Sequence, residues 1–255
     1  MIAYKGADTD FSLSGKTAII TGGAAGIGLA TAEFFAKKGV NLVLADLNPE
    51  ADAIAKTLGA QNIGVVGNVC DAAYRKQVIA RAAEVFGGFD ILVNSAGIVA
   101  LDDAESISED MWDRTIDINL TASFRMAQAA GAWWIEHKLP GSIVNLASQA
   151  GVIALDRHVA YCASKGAIIA MTKVMAMEWG EYGIRVNAVS PTVVLTELGH
   201  KAWDGPVGDA FKKEMPAERF AEPDEIAGII AFLCSGTAAM ITGHNLLVDG
   251  GYTIK

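Results

Sequence analysis

The chain has 255 residues, of which 52% are hydrophobic, and a formal net charge of −9. This charge, without a cluster of Lys or Arg, argues against a protein that binds nucleic acid or anionic membranes. No uninterrupted apolar run reaches the length of about 18 residues that a membrane span needs, and residues 1–10 lack the apolar stretch of a secretory signal peptide.

Short β-branched runs alternate along the chain with segments of helical apolar spacing, and we find no linker or repeat between them. Such alternation, with right-handed crossovers, builds a parallel sheet that helices cover on both faces. We therefore predict one α/β domain over residues 1–255, a doubly wound Rossmann sheet of seven parallel strands: Thr17–Thr21, Asn41–Asp46, Ile63–Asn68, Ile91–Asn94, Ser142–Leu146, Arg185–Val189 and Asn245–Val248.

A glycine-rich loop, Thr21–Gly28, connects the first strand to the first helix. Glycines there let the backbone approach a pyrophosphate, whose charge is stabilised by free N–H groups and by the dipole of the helix N-terminus. An ordinary strand-to-helix turn would also contain glycines, so the loop alone leaves that alternative open.

Asp46 ends the second strand about twenty residues further on, where a carboxylate can accept hydrogen bonds from both hydroxyls of an adenosine ribose. No Arg or Lys is present at Ala24, Ala25, Leu47 or Asn48 to bind a 2′-phosphate. We therefore expect NAD to be the cofactor, in preference to NADP. The alternative is that Asp46 only ends the strand.

Tyr161 and Lys165 are four residues apart, which places them on one face of a helix. A neighbouring ammonium favours the phenolate, so we expect Lys165 to lower the pKa of Tyr161 and make it a proton carrier. Ser148 follows the fifth strand, and open α/β sheets bind ligands at strand ends. We expect its hydroxyl to orient the substrate oxygen. A pair of surface side chains is the alternative for Tyr161 and Lys165.

Together these residues resemble the short-chain dehydrogenase/reductase family over nearly the whole chain. The resemblance implies a nicotinamide-dependent oxidoreductase that interconverts a secondary alcohol and its carbonyl. It implies that Asn119, on a predicted helix Trp112–Arg125, holds a water chain from Lys165 to solvent, although helix solvation is an alternative for this residue. The motifs that carry the resemblance are Thr21–Gly28, Asn94-Ser95-Ala96-Gly97, Asn119, Ser148, Tyr161 and Lys165.

The resemblance also implies a cofactor site and shows departures from the family pattern. Ser95 and Asn68 occupy positions where relatives often have Asn and Asp, and Thr192 follows Pro191 where many relatives have Gly. The implied cofactor-binding residues are Gly22, Gly26, Ile27, Gly28, Asp46, Asn68, Val69, Asn94, Ala96, Gly97, Tyr161, Lys165, Pro191, Val194 and Thr196.

The substrate-binding residues are expected to come from the strand ends and from residues 191–222, a stretch without a predicted strand that we interpret as a substrate lid. Gln149, His158, Trp203 and Cys162 resemble the L-xylulose (dicarbonyl) reductase branch of the family. Several substrate hydroxyls could be hydrogen-bonded by Gln149, His158 and Trp203 together with Ser148 and Tyr161. Polyols and ketoses are therefore the expected substrates. Alternatively, His158 is satisfied by loop backbone and Trp203 is a packing residue.

Two other functions remain open from the sequence: a 3-oxoacyl-thioester or steroid reductase, and a nucleotide-sensing protein without catalysis. The four histidines lack ligand spacing, so we expect no catalytic metal. The three widely spaced cysteines are typical of reduced thiols in a cytoplasmic protein. The apolar composition and the resemblance predict a homotetramer, with interfaces at the C-terminal strand Asn245–Tyr252 and the long helices, and with Lys255 near a neighbouring subunit.

Overall fold

The computed structural model describes residues 8–254 and contains one parallel sheet of seven strands. Residues 1–7 and Lys255 lie outside this range. The expectations about a signal peptide and about a subunit contact at Lys255 fall partly on these residues. The strand order is β3-β2-β1-β4-β5-β6-β7, which confirms the predicted fold class. The strands are β1 Thr17–Thr21, β2 Asn41–Asp46, β3 Ile63–Val66, β4 Ile91–Asn94, β5 Gly141–Leu146, β6 Ile184–Pro191 and β7 Asn245–Val248.

Helices cover both faces of the sheet. Side chains from α1, α2 and α9 pack on one face, and side chains from α3, α5 and α6 pack on the other. The helices are α1 Gly26–Lys37, α2 Ala51–Thr57, α3 Ala72–Phe86, α4 Glu109–Ile116, α5 Ala122–His137, α6 Val159–Trp179, α7 Glu197–Trp203, α8 Pro206–Lys213 and α9 Pro223–Cys234.

Three strands and one helix differ from their predicted bounds, and the smallest difference is that β5 begins at Gly141 and not at Ser142. β3 ends at Val66 rather than Asn68, because the side chain of Asn68 accepts a hydrogen bond from the N–H of Cys70 and forms a turn. β6 extends to Pro191 and so reaches the site region. The predicted helix Trp112–Arg125 is part of α4 and α5, which a π-helical turn, Asp117–Thr121, joins into one rod.

The segment 191–222 contains α7 and α8 and returns to the sheet through a bridge between Val194 and Ala221. It follows β6 at the carboxyl end of the sheet. The order of the strands reverses between β1 and β4, and in sheets of this kind ligands bind outside the carboxyl ends at that point. The fold therefore places the glycine loop, Asp46, Ser148 and segment 191–222 at the carboxyl end of the sheet.

The region Val159–Tyr182, α6 with the short turn that follows it, is long and apolar enough to span a membrane by length and composition alone. This finding differs from the expectation that no segment has that character. Inside the fold, however, Lys165, Ile168 and Thr172 of α6 are buried, and Ile168 and Met175 join the hydrophobic core. Core helices of globular domains share these properties.

Candidate active site

The glycine loop packs tightly against the end of β4. Gly22 has a φ of +64°, and a Cβ at this position would lie 2.9 Å from backbone atoms of Ala96. A Cβ at Gly28 would lie 2.1 Å from the carbonyl oxygen of Gly22. Side chains are therefore excluded at both positions, and the loop forms a cradle of bare backbone at the start of α1.

The N-terminus of α1 is arranged to receive an anion. Its N-cap, Ala25, makes no side-chain capping hydrogen bond, and its first turn contains no acidic residue. The helix dipole and the N–H groups of the first turn, at Gly26, Ile27 and Gly28, thus face the cradle without a capping side chain. A Cβ at Gly26 would lie 3.6 Å from the Thr196 methyl, so segment 191–222 begins beside the same helix end. This geometry fits the pyrophosphate of a dinucleotide.

Thr21, the last residue of β1, holds the loop after β4 in place. Its hydroxyl accepts hydrogen bonds from the N–H groups of Ser95 and Ala96, at 3.1 and 3.2 Å. The exchange of the usual Asn for Ser95 leaves this turn intact, because the backbone makes the contact. Thr21 lay within the motif that we singled out, but its role was not visible in the sequence.

Asn94, a predicted cofactor residue, is buried and its amide joins three elements. Its Nδ2 donates to the carbonyl of Ser123 in α5 at 3.1 Å and to Oδ1 of Asn145 in β5 at 2.9 Å. The Oδ1 of Asn94 has no hydrogen-bond partner within the described part of the chain. The described contacts of Asn94 are thus structural, and its cofactor contact stays a prediction.

Asp46 lies at the end of β2, next to the glycine loop. Its Oδ2 accepts a hydrogen bond from the N–H of Ala24 and its Oδ1 from the N–H of Asn48, both at 2.9 Å. The side chain is half-buried, and each oxygen keeps a lone pair for a further donor. The carboxylate is therefore held beside the loop, where ribose hydroxyls can bind it and a 2′-phosphate would meet its negative charge.

The turn after β3 lies beside Asp46, because the N–H of Gly67 donates to the carbonyl of Asp46 at 2.8 Å. Asn68 is exposed and its Oδ1 is engaged in the turn with Cys70. The carbonyl of Val69 accepts a hydrogen bond from Arg75 at 2.8 Å. The structure thus places Asn68 and Val69 at the adenosine side of the predicted site.

Tyr161, Lys165 and Ser148 come together between α6 and the end of β5. The Nζ of Lys165 lies 5.5 Å from the centroid of the Tyr161 ring and donates to the carbonyl of Leu146 at 2.6 Å. Ser148 is buried, accepts a hydrogen bond from the N–H of Ala150, and is hydrogen-bonded to Tyr161. Because Lys165 is only 5% exposed, the alternative of a surface pair is wrong.

The protonation of this trio differs in part from the expectation. Burial raises the pKa of Tyr161 above its ordinary value, and the hydrogen bond with Ser148 lowers it only partly. Burial also lowers the pKa of Lys165 to about 8. Lys165 therefore remains mostly charged at neutral pH, whereas desolvation raises the pKa of Tyr161 and keeps the phenol protonated.

Asn119 lies in the π-helical turn and is fully buried, so helix solvation does not explain it. Its Oδ1 accepts from the N–H of Ile98 at 2.8 Å, and its Nδ2 donates to the carbonyl of Ile98 at 2.9 Å and to Oγ of Ser164 at 3.2 Å. A Cβ at Gly97 would lie 3.2 Å from this Oδ1 and 3.7 Å from the Nζ of Lys165. The π turn thus brings Asn119 close to Lys165. A π-helical turn is often found at functional sites.

Gln149 and His158 flank the trio. Gln149 is 2% exposed, and its Oε1 has no hydrogen-bond partner among residues 8–254. His158 occupies the N-cap position of α6 without a side-chain capping hydrogen bond. Its ring centroid lies 6.1 Å from that of Tyr161, and its Nδ1 lies 2.5 Å from the carbonyl of Asp156. The structure brings both residues to the site, and His158 also has the loop contact that the alternative expected.

Trp203 lies at the end of α7 and contacts the rings of Phe211 and Phe220, at centroid distances of 5.1 and 5.9 Å. Its described contacts are those of a packing residue. Thr196 caps α7, with its Oγ1 accepting from the N–H of Gly199 at 3.1 Å. Pro191 ends β6, and Val194 is buried in the bridge that follows.

Metal ligands do not cluster in the described part of the chain: among residues 8–254 no three His, Cys, Asp or Glu residues are placed to hold an ion. The chemistry that the site offers is acid–base chemistry next to a dinucleotide cradle.

Comparisons with known proteins identify the same chemistry. A family model described as enoyl-(acyl carrier protein) reductase matches residues 22–253. The D-threitol dehydrogenase of Mycolicibacterium smegmatis is 54% identical over 252 residues, which cover 97% of this chain and 96% of that protein. The NAD-dependent glycerol dehydrogenase of Listeria innocua is 49% identical over the whole of both chains. A crystal structure of a short-chain type dehydrogenase/reductase from Mycobacterium marinum matches with a TM-score of 0.89 at 32% identity, covering 96% of this chain and 98% of that one.

With its cradle and its Ser148, Tyr161 and Lys165 trio, this chain is a nicotinamide-dependent oxidoreductase and belongs to the short-chain dehydrogenase/reductase family.

Proposed function

We propose that the chain is an NAD-dependent polyol dehydrogenase, which interconverts a secondary alcohol of a polyol and the corresponding ketose. The observation that carries the proposal is the buried Oε1 of Gln149, next to Ser148, which has no hydrogen-bond partner in the described part of the chain. A buried amide oxygen without a partner costs free energy. A hydroxyl on the carbon next to the reacting one would satisfy it.

In this proposal the reacting hydroxyl lies between Ser148 and Tyr161. When bound, NAD supplies the acceptor for the hydride that leaves the carbinol carbon. Tyr161, as phenolate, takes the hydroxyl proton, while Ser148 hydrogen-bonds the oxygen as it becomes a carbonyl. In the reverse direction the phenol returns the proton. Lys165, charged at neutral pH, stabilises the phenolate, and Asn119 fixes the backbone of Ile98 beside the lysine.

The preference for NAD over NADP rests on Asp46. Its carboxylate is held at the end of β2 by two backbone hydrogen bonds, and a 2′-phosphate in the same place would meet like charge. The Listeria relative carries NAD-dependence in its name, which supports the same preference here.

A substrate screen tests the function. Polyols and ketoses of three to six carbons are offered with NAD⁺, NADP⁺, NADH and NADPH, and turnover is followed by the nicotinamide absorbance. We expect the highest kcat/KM with a polyol and NAD⁺, and a large loss with monohydric secondary alcohols. A higher kcat/KM with a 3-oxoacyl thioester or a steroid would contradict the polyol assignment, and nucleotide binding without any turnover would contradict catalysis.

We further propose a cytoplasmic homotetramer. β7 is an edge strand of the sheet and its residues are only half-buried, while Met177 on α6 is 77% exposed. These features support subunit contacts at the C-terminal strand and at the long helices. The three cysteines are free thiols, which supports a reducing compartment. Sedimentation velocity at micromolar concentration should show one species of four chains, and a monomer would contradict the tetramer.

A further inference from the structure

Five buried side-chain atoms lack a hydrogen-bond partner among the residues that the structure describes, and three of them lie at the carboxyl ends of adjacent strands. These three are Oδ1 of Asn94 at the end of β4, Oε1 of Gln149 after β5 and Oγ1 of Thr192 after β6. Unpaired buried polar atoms are rare in proteins and call for an explanation. The three atoms lie at the carboxyl ends of the strands, where sheets of this kind bind ligands, so polar groups of a bound ligand would satisfy them.

Thr192 can be placed by the register of the sheet. Its N–H donates to the carbonyl of Val248 at 3.1 Å, so its backbone continues the ladder between β6 and β7. Side chains alternate between the two faces of a strand, so Thr192 shares a face with Ser190 and Ala188. Ala188 packs against Ile168 of α6. Thr192 is the bend residue directly after β6, and continuing the alternation of the strand by this one residue places its side chain on the face of the sheet that α6 covers.

Thr192 also lies at the catalytic end of that face. From Ala188 to Thr192 the strand advances about 13 Å, and from Ile168 back to Tyr161 the helix advances about 10 Å in the same direction. The short turn Gln149–Gly151 contacts both β6 and α6 in this region. The buried hydroxyl of Thr192 is thus at about the level of Tyr161, and Thr192 directly follows the strand that contacts the turn carrying Gln149.

We propose that Thr192 is a specificity-determining residue, whose hydroxyl hydrogen-bonds a hydroxyl of the polyol beyond the reacting carbon. This inference rests on the proposed polyol function. A threonine hydroxyl donates and accepts, as a sugar hydroxyl does. A substrate without the matching hydroxyl would leave Oγ1 buried and unpaired, and sites of this kind reject such analogues strongly.

The substitution Thr192→Val removes the hydroxyl and keeps the shape of the side chain, and Thr192→Ser is the matched control that keeps the hydroxyl. We expect Thr192→Val to lower kcat/KM for the best polyol by about 10- to 100-fold, mainly through KM. Thr192→Ser should stay within about threefold of the wild type and the Kd for NADH should not change in either variant, because the proposed contact is to the substrate.

Thermal unfolding separates this role from a structural one. Since Oγ1 has no partner in the described structure, Thr192→Val should unfold at the same temperature as the wild type or higher. A structural hydroxyl would instead lower stability and kcat/KM together. Monodeoxy analogues add a second readout: the wild type should discriminate against one of them, and Thr192→Val should largely lose that discrimination.

Three outcomes would overturn the assignment of Thr192: equal kcat/KM for Thr192→Val and wild type on every polyol, unchanged discrimination against all deoxy analogues, or a loss confined to NADH binding. If the wild-type enzyme turns over no polyol, the proposed function itself fails, and this inference fails with it. If the wild type turns over polyols and Thr192→Val matches it, only the role of Thr192 is wrong.

Discussion

Asp46 and Ala24 are joined by a hydrogen bond of 2.9 Å from the backbone N–H of Ala24 to the carboxylate of Asp46. The residue expected to select the cofactor therefore also holds the glycine loop that is expected to cradle the pyrophosphate. Any substitution of Asp46 changes two things, the charge that faces the ribose and the support of the loop, and the two effects can be measured separately.

Replacing Asp46 by Ala should relax the preference for NAD. We expect the wild type to have a higher kcat/KM with NAD⁺ than with NADP⁺, and Asp46→Ala to narrow the ratio by at least about tenfold, which corresponds to about 1.4 kcal/mol. Asp46→Asn, which removes the charge and keeps an acceptor oxygen, should narrow the ratio with a smaller loss of thermal stability. A wild-type preference for NADP⁺ would refute the ribose–carboxylate argument.

The variant Tyr161→Phe should keep the fold and NADH binding but lose turnover. Only the hydroxyl is removed, and general acid–base catalysis is worth about 10²–10⁴-fold, so kcat should fall by at least that order. Fluorescence titration with NADH and the circular dichroism spectrum serve as controls. Retention of kcat within threefold of the wild type would remove Tyr161 from the mechanism.

Lys165→Ala should lower both turnover and NADH affinity, because the ammonium is expected to support the phenolate and to hold the nicotinamide ribose. Tyr161 and Lys165 act on one proton transfer, so the double variant should lose less than the product of the two separate losses. A full product of losses would show that the two residues act independently.

Alcohol oxidation should speed up as the pH rises from neutral. Burial raises the pKa of Tyr161, so the phenolate that accepts the proton becomes more populated at alkaline pH, whereas ketone reduction uses the phenol and should be flat near neutrality. The pKa of Lys165 is lowered to about 8, so above that pH its charge is lost and the rise should flatten. Lys165→Arg, which stays charged, should shift this flattening to higher pH. Initial rates in both directions test this, and oxidation that slows between neutral pH and pH 8 would disprove it.

Gly22→Ala should damage the cradle. A Cβ there would lie 2.9 Å from Ala96, at a φ of +64°, so we expect a loss of about 1–3 kcal/mol in stability and weaker NADH binding. Gly228→Ala is the control. Gly228 lies inside α9, and a Cβ there would meet only the ring of Phe34, at 3.8 Å. That change should be neutral or stabilising, since Ala favours the helix by about 1 kcal/mol. If both variants lose the same stability in denaturant titrations, the close contact between Gly22 and Ala96 is not the cause of the loss.

Local patterns predicted most of the fold. The bounds of β1, β2, β4 and β7 agree with those expected from the sequence, because each of these strands is an apolar run that ends at a polar residue or is followed by one. The pairing of Tyr161 with Lys165 followed from helical spacing alone. These features depend on residues that are close in the chain, where spacing determines geometry.

Features that depend on distant contacts were harder to predict. The raised pKa of Tyr161 results from burial by elements that are remote in sequence, and the ring contacts of Trp203 form only when α7 and α8 fold together. Thr192 was noted only as a departure from the family pattern, because the lack of a partner for Oγ1 requires a three-dimensional structure. Apolar periodicity could not reveal the π turn either, since an α-helical repeat was assumed throughout.

The π-helical turn Asp117–Thr121 is a place where the helix can lose one residue without rotating the segment that follows. Each hydrogen bond of a π turn spans one residue more than in an α-helix, so deleting one residue here should close it into an α-helical turn and leave the orientation of α5 nearly unchanged. Met126 and Ala127 should stay on the core face, and the carbonyl of Ser123 should stay beside the amide of Asn94. The widened turn that brings Asn119 to Ile98 and Ser164 would be lost, so the damage should fall on the site and not on the core.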